Sequence, residues 1–103
     1  MELAKYFKEF DDANRAQDHY KMMEAMQKFF KEIHNADETE ILSYYSMASQ
    51  FELLGMNAQP IKDAVTARVK SQYNRYPGTW KSTAVGLNAL LYSDQRSYEK
   101  IQI

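Results

Sequence analysis

The sequence predicts an all-α fold, an antiparallel four-helix bundle with a bent or broken fourth helix. The chain of 103 residues contains only three glycines and two prolines, which leaves little material for the many turns of a β protein. Apolar residues recur at helical spacing in successive stretches, and amphipathic helices bury their apolar faces only against one another. We therefore expect one helical domain over residues 1–92 and a mobile C-terminal tail over residues 93–103.

The first two helices are predicted from their apolar faces and from a break between them. The first face consists of Leu3, Tyr6, Phe7, Phe10 and Ala13. Weak helix formers favour a break between Asp11 and Asp18, where Asp18 can cap the second helix. The second face consists of Met22, Met23, Met26, Phe29, Phe30 and Ile33. A stripe rich in methionine can form an adaptable binding groove, but in a small domain we favour core.

The third helix has clear start and stop signals. Asp37 followed by Glu40 is a capping-box pattern ahead of an apolar run, and Gly55 is a natural C-terminal stop. The positions expected to be buried are Ile41, Tyr44, Tyr45, Ala48, Phe51 and Leu54. The helix should therefore end close to residue 54.

The fourth helix is predicted to be interrupted. Asn57 can cap it, and Pro60 falls in its first turn, where a missing N–H costs nothing. Its apolar positions are Ile61, Val65, Val69 and Tyr73. Pro77 and Gly78 must interrupt it, after which Thr79 can cap a terminal helix over residues 80–92. The inward positions of that terminal helix are Ala84, Leu87, Leu90 and Leu91.

The charge distribution differs between the two halves of the chain. Residues 1–60 carry eleven acids and six bases, whereas residues 61–103 carry three acids and seven bases. No acidic residue lies between Asp63 and Asp94, so a partner with negative potential is favoured for this half. Cysteine is absent and no signal peptide or membrane span is visible, so we expect a cytoplasmic protein.

The sequence carries no pattern typical of catalysis or metal binding. His19 and His34 lack the orienting residues of a catalytic or metal site, and no glycine-rich phosphate loop is present. We therefore expect no enzyme activity, no cofactor and no metal. A small helical phosphocarrier or adaptor protein that uses a surface histidine remains an alternative.

Residues 81–92 carry a resemblance to a known family. They read Lys-Ser-Thr-Ala-Val-Gly-Leu-Asn-Ala-Leu-Leu-Tyr, which resembles the ending of the enterocin A immunity family of pediocin-like (class IIa) bacteriocin immunity proteins. Residues 1–56 match that family in helix pattern alone. The resemblance implies producer-cell self-protection from the cytoplasmic side. Its implied partner is the membrane permease of the mannose phosphotransferase system, a pediocin-like bacteriocin, or both.

The C-terminal half of such proteins is thought to discriminate between bacteriocins, which agrees with the basic and aromatic character of this half. The partner-binding residues expected here are Arg68, Arg75, Tyr76, Trp80, Lys81, Asn88 and Tyr92. Trp80 is also a strong core candidate, and burial is the interpretation we favour for it. We expect a monomer that makes at most peripheral membrane contact and binds no nucleic acid, because the acidic N-terminal half would repel phosphates.

Overall fold

The computed structural model describes residues 3–103, and over these residues the all-α prediction is confirmed. Their regular structure consists of five α-helices and one short 3₁₀ helix. The α-helices are α1 (Leu3–Arg15), α2 (His19–Asn35), α3 (Ile41–Leu53), α4 (Gln59–Arg75) and α5 (Pro77–Ser93), and the 3₁₀ helix is Ser97–Glu99. The predicted fourth helix is thus broken into two helices of equal length, 17 residues each.

Local signals set most helix ends as predicted. The Asp18 carboxylate accepts the backbone N–H of Lys21 at 3.1 Å and caps α2. The Asp37 carboxylate accepts the N–H groups of Thr39 and Glu40, both at 2.9 Å, in the turn before α3. Gly55 has a φ of 84°, a left-handed conformation that suits glycine after a helix.

Two predicted caps are wrong. The Asn57 side chain accepts the N–H of Gln59 at 3.2 Å, but Ala58 occupies the N-cap position of α4. Thr79 lies inside the first turn of α5, because Pro77 already adopts helical geometry as the first helical residue. Proline fixes φ near the helical value and needs no N–H partner there, so the helix starts earlier than a threonine cap would allow.

The helices run in alternating directions around a shared core. Glu9 on α1 pairs with Lys28 on α2, and only residues 16–18 link the two helices, so these helices are antiparallel. Lys62 near the start of α4 meets Asp94 just after α5, so α4 and α5 also form an antiparallel hairpin. Helices α2 and α4 both run toward the link over residues 36–40, where Arg68 of α4 donates to the backbone carbonyl of Ala36 at 3.3 Å.

Aromatic rings from three helices form the centre of the core. The ring of Phe29 is fully buried and lies 5.8 Å from Tyr6, 6.4 Å from Phe10, 6.4 Å from Tyr44 and 5.5 Å from Phe51, measured between centroids. Edge-to-face contacts of this kind add stabilisation beyond the area that the rings bury. The methionine and phenylalanine stripe of α2 is therefore core along its Phe29 side.

The predicted apolar faces are too wide at three positions. Met23 is 61% exposed, Phe30 is 38% exposed, and Leu54 is 47% exposed. Met23 and Phe30 each follow a residue that packs against the core, and Leu54 is the C-cap residue beyond the end of α3. A helix in a small bundle has neighbours on only one side. The flank of the stripe is therefore left to solvent.

A close approach between α3 and α5 accounts for Gly86. A Cβ added at this position would lie 2.7 Å from the Leu42 Cδ1 atom, well inside van der Waals contact. Thr83, one turn earlier on α5, donates its hydroxyl to the carbonyl of Glu38 at 2.7 Å. Small side chains on this face let the two helices pack closely, which is the structural interpretation of the Thr-Ala and Gly positions in residues 81–92.

The prediction that residues 93–103 form a tail with few buried contacts is wrong. Ser93 ends α5, and Arg96 and Ile101 are both buried. The Asn88 carboxamide binds the backbone of Ile101 twice, donating to its carbonyl at 3.1 Å and accepting its N–H at 2.8 Å. The segment lacks an apolar period, but a few strong contacts with distant residues hold it on the bundle.

Residues 3–103 contain no helix that is both long enough and apolar enough to cross a bilayer.

Candidate partner-binding surface

The turn between α4 and α5 forms a continuous exposed surface, which we call the α4–α5 tip and define as residues 74–79. All six of these residues are exposed. A single residue, Tyr76, ends one helix and starts the next, with φ of −133° and ψ of 62°. No side chain caps α5, and its first turn contains no acidic residue.

The tip projects beyond the rest of the bundle at one end. Arg68 contacts the α2–α3 link through Ala36, and Thr83 contacts the same link through Glu38. From Arg68 to Arg75, α4 continues for about 10 Å at the rise of an α-helix. The longest dimension of the molecule is 43 Å, whereas a 17-residue helix is roughly 25 Å long. The helices are therefore offset from one another along the bundle axis.

Three of the predicted partner-binding residues come together at or beside this tip. Arg75 and Lys81 are exposed, and the Tyr76 ring between them is 54% exposed. Among residues 3–103, no ion pair involves Arg75 or Lys81. Their charges are therefore available to a partner.

Two other predicted residues serve the fold. Trp80 is only 6% exposed and belongs to the core, which confirms the burial we favoured and removes it from the partner surface. Arg68 is half-buried, and its guanidinium holds the Ala36 carbonyl. The interpretation of Arg68 and Trp80 as partner contacts is corrected, because both side chains already have partners within the bundle.

The last two predicted residues lie toward the opposite end of α5. Asn88 is occupied by the backbone of Ile101, so its amide holds the C-terminal segment. Tyr92 is 70% exposed, with the Lys100 ammonium 4.9 Å from its ring centroid. Eleven residues of helix separate Tyr92 from Lys81, about 16 Å, so Tyr92 is not part of the tip.

An ionic cluster that the sequence reasoning missed lies at the end of the bundle away from the tip. The buried Lys62 ammonium contacts the Glu52 carboxylate at 2.5 Å and the Asp94 carboxylate at 2.7 Å. The Tyr45 hydroxyl also donates to Asp94. Nearby, the Arg96 guanidinium pairs with Asp63 at 2.7 Å and with Glu99. The sequence signal for this cluster was Lys62, a lysine on the apolar face of the predicted fourth helix.

The cluster perturbs the ionisation of its members. Burial opposes the charged form of Asp94, but hydrogen bonds from Lys62 and Tyr45 outweigh it and lower the pKa of this carboxyl below its ordinary value. Burial likewise opposes the charged form of Lys62, and its hydrogen bonds to Asp94 and Glu52 outweigh it and raise its pKa. Burial raises the pKa of the Tyr45 hydroxyl, and the neighbouring Asp94 raises it further. Lys62 and Asp94 are fixed in an ion pair and Tyr45 in a hydrogen bond to Asp94, which indicates a structural role.

The remaining candidates for chemistry are dispersed. His19 and His34 are both exposed, and they lie at opposite ends of α2. Within residues 3–103, no group of three or more His, Cys, Asp or Glu side chains could hold a metal ion. A cleft of about 470 Å³ lies between α1 and α2, lined by carboxylates, lysines and alanines, and it is remote from the tip.

Comparison with protein-family models, curated proteins and solved structures gave no match.

Proposed function

We propose that this chain is a bacteriocin immunity protein that protects a producer cell from the cytoplasmic side. In this proposal it recognises the bacteriocin-engaged permease of the mannose phosphotransferase system. The proposal begins from the resemblance of residues 81–92 to the enterocin A immunity family. The observation that carries it further is the exposed α4–α5 tip, which contains Arg75 and lies beside Lys81, in the half of the chain that such families use for discrimination.

The chemistry of the tip supports a binding role. Arg75 and Lys81 form no ion pair within residues 3–103, and exposed charges of this kind contribute little to folding, usually less than about 1 kcal/mol. At an interface, an opposed charge pair that loses water can contribute several kcal/mol. The charges of Arg75 and Lys81 can therefore contribute more free energy to the binding of a negatively charged partner than to the stability of the fold.

The test is a protection assay in cells. The protein is expressed in a strain sensitive to pediocin-like bacteriocins, and the cells are challenged with a panel of these peptides. Protection against at least one peptide is expected. Growth inhibition by every peptide, at normal expression of folded protein, would overturn the proposal.

A double variant tests whether the tip is responsible. Arg75→Glu combined with Lys81→Glu should keep the wild-type melting temperature and lose protection. The control is Arg15→Glu combined with Lys21→Glu, which makes the same charge change on exposed residues of α1 and α2. Arg15 pairs with Asp11 at 3.1 Å, a surface ion pair whose loss usually costs less than about 1 kcal/mol, and the melting temperature of the control variant checks this. Full protection by the folded tip variant would remove this surface from the mechanism.

A phosphocarrier is the second candidate, because His19 is exposed at the first position of α2, where a helix N-terminus favours a phosphate. The Asp18 carboxylate already occupies the N–H of Lys21 in that turn, which weakens this candidate. Incubation with a phosphoryl donor followed by mass measurement decides between the two. A gain of one phosphate that is lost in His19→Ala would favour the phosphocarrier.

A further inference from the structure

We infer that the α4–α5 tip docks on an anionic lipid surface. The inference deepens the proposed function and rests on it, because a protein that recognises a membrane permease gains from being held at the bilayer. The lipid contact can be measured with purified protein and lipid vesicles, without the permease or the bacteriocin.

The shape of the tip suits a flat surface. Two helices joined through one residue, Tyr76, form a narrow convex turn that projects about 10 Å beyond the α2–α3 link. A protein partner would need a matching concave pocket to bury such a turn. A bilayer needs none, since its headgroups rearrange around whatever enters them.

The side chains at the tip suit the headgroup layer of an anionic membrane. Arg75 and Lys81 are exposed on either side of the turn, and Lys70 is half-buried more than one helical turn back along α4. Tyr76 has half of its ring exposed at the apex, and amphipathic aromatic rings are favoured at the level of lipid headgroups. No carboxylate lies between Asp63 and Asp94 in the sequence, and the carboxylates of the α2–α3 link at this end of the bundle, Asp37, Glu38 and Glu40, lie about 10 Å behind the tip.

The opposite end of the molecule sets the orientation. The link between α1 and α2, at residues 16–18, lies at the far end, since α2 runs from it toward the α2–α3 link. Asp11, Asp12 and Asp18 lie around that far link together with the basic Arg15 and Lys21, which leaves one net negative charge there, whereas the tip carries Arg75 and no carboxylate. An anionic membrane therefore favours contact with the tip over contact with the far end. The net charge of the whole chain is −1, so general attraction between protein and membrane does not explain binding.

The expected affinity is weak. Each basic residue near an anionic surface strengthens binding about five-fold, so three residues give roughly a hundred-fold preference over a neutral surface. Binding at this level is reversible and leaves the protein free to exchange. Combined with a contact to a membrane protein, it raises the effective concentration at the partner, so two weak contacts act as one stronger contact.

The experiment measures co-sedimentation of the purified protein with vesicles. One set of vesicles contains phosphatidylglycerol and phosphatidylcholine in equal amounts, and the other contains phosphatidylcholine alone. Binding to the anionic vesicles only is expected. It should disappear at about 1 M salt, where the Debye length falls to about 3 Å.

Variants locate the contact. Arg75→Glu with Lys81→Glu should weaken vesicle binding at least about 25-fold, the loss of two favourable charges, and repulsion by the new carboxylates adds to this. Tyr76→Ser should weaken it several-fold while leaving the salt dependence unchanged. The control, Arg15→Glu with Lys21→Glu, changes the net charge equally at the far end and should leave binding within about two-fold of wild type. Circular dichroism confirms that each variant is folded.

Three outcomes would overturn the inference. The first is equal binding to the two kinds of vesicle, and the second is equal loss of binding in the tip variant and the control. The third is absence of vesicle binding by a wild-type protein that protects cells, with protection lost in the tip variant, which would assign the tip to an acidic protein face. In that third case the immunity function stands. Vesicle binding without protection would instead remove the immunity function and leave the lipid contact.

Discussion

The neighbouring pair Phe29 and Phe30 offers a sharp test of which face of α2 is buried. Both residues belong to the apolar stripe that the sequence predicts, but the structure buries the Phe29 ring completely and leaves Phe30 38% exposed. The two positions share helix, residue type and local propensity. Substitution of each by alanine therefore isolates the effect of burial.

The magnitude follows from the contacts. Phe29→Ala removes a ring with no exposed area and leaves a cavity among four other aromatic rings whose centroids lie 5.5 to 6.4 Å away. Substitutions of this kind cost about 3–5 kcal/mol, and the number of aromatic neighbours favours the upper part of that range. In a domain of this size each kcal/mol shifts the melting temperature by about 4–8 °C, so a fall of at least about 15 °C is expected. Phe30→Ala should cost only about 1–2 kcal/mol, because 38% of this residue is already exposed and its removal leaves no enclosed cavity.

The assay is thermal and urea unfolding followed by circular dichroism on both variants. An equal loss for the two substitutions, or a greater loss for Phe30→Ala, would show that the register of α2 against the core is wrong. It would also refute the aromatic cluster as the centre of the fold.

Three further predictions concern the end of the bundle away from the tip. Lys62→Ala should cost about 2 kcal/mol or more in urea unfolding, since it leaves two partly buried carboxylates unpaired, whereas Lys28→Ala, which breaks an exposed pair, should cost less than about 1 kcal/mol. Asn88→Ala should destabilise by about 1–3 kcal/mol and speed hydrogen exchange of the Ile101 amide, which loses its acceptor; unchanged exchange would contradict the contact. Because the folded pKa of Asp94 is below its unfolded value of 3.8, its stabilisation is present above that pH and is lost as pH falls through the folded value. Asp94→Asn should therefore flatten the acid limb of a stability profile measured from about pH 6 down to 2, and an unchanged limb would refute the assignment.

The sequence predicted those parts of the fold that depend on neighbouring residues. Asp18 caps α2 through a residue three positions away, and Gly55 ends α3 through its own φ. The break at Pro77 also follows from one residue, because proline lacks an N–H and restricts the residue before it. Helix ends and helix content were therefore predictable, apart from the N-caps of α4 and α5, which lie one residue after and three residues before the predicted positions, respectively.

Features that join distant residues were not predictable in the same way. The Lys62 and Asp94 side chains are 32 positions apart, and Asn88 and Ile101 are 13 apart in a segment without apolar period. Nothing local marks either pair, so the C-terminal segment was expected to be mobile. Three residues predicted to bind a partner, Arg68, Trp80 and Asn88, instead make contacts within the fold. The basic and aromatic tip was predicted because it depends on composition and on the turn alone.

The distance along the chain between Lys62 and its second carboxylate partner has a consequence for biosynthesis. At typical translation rates Asp94 is added about 2–6 s after Lys62, a separation of 32 residues. Until Asp94 has been made, the lysine has only Glu52 as a carboxylate partner. Docking of α4 at that stage would bury a cation with half of its final pairing, which costs stability. The burial of Lys62 is therefore completed only when the segment after α5 has joined the bundle.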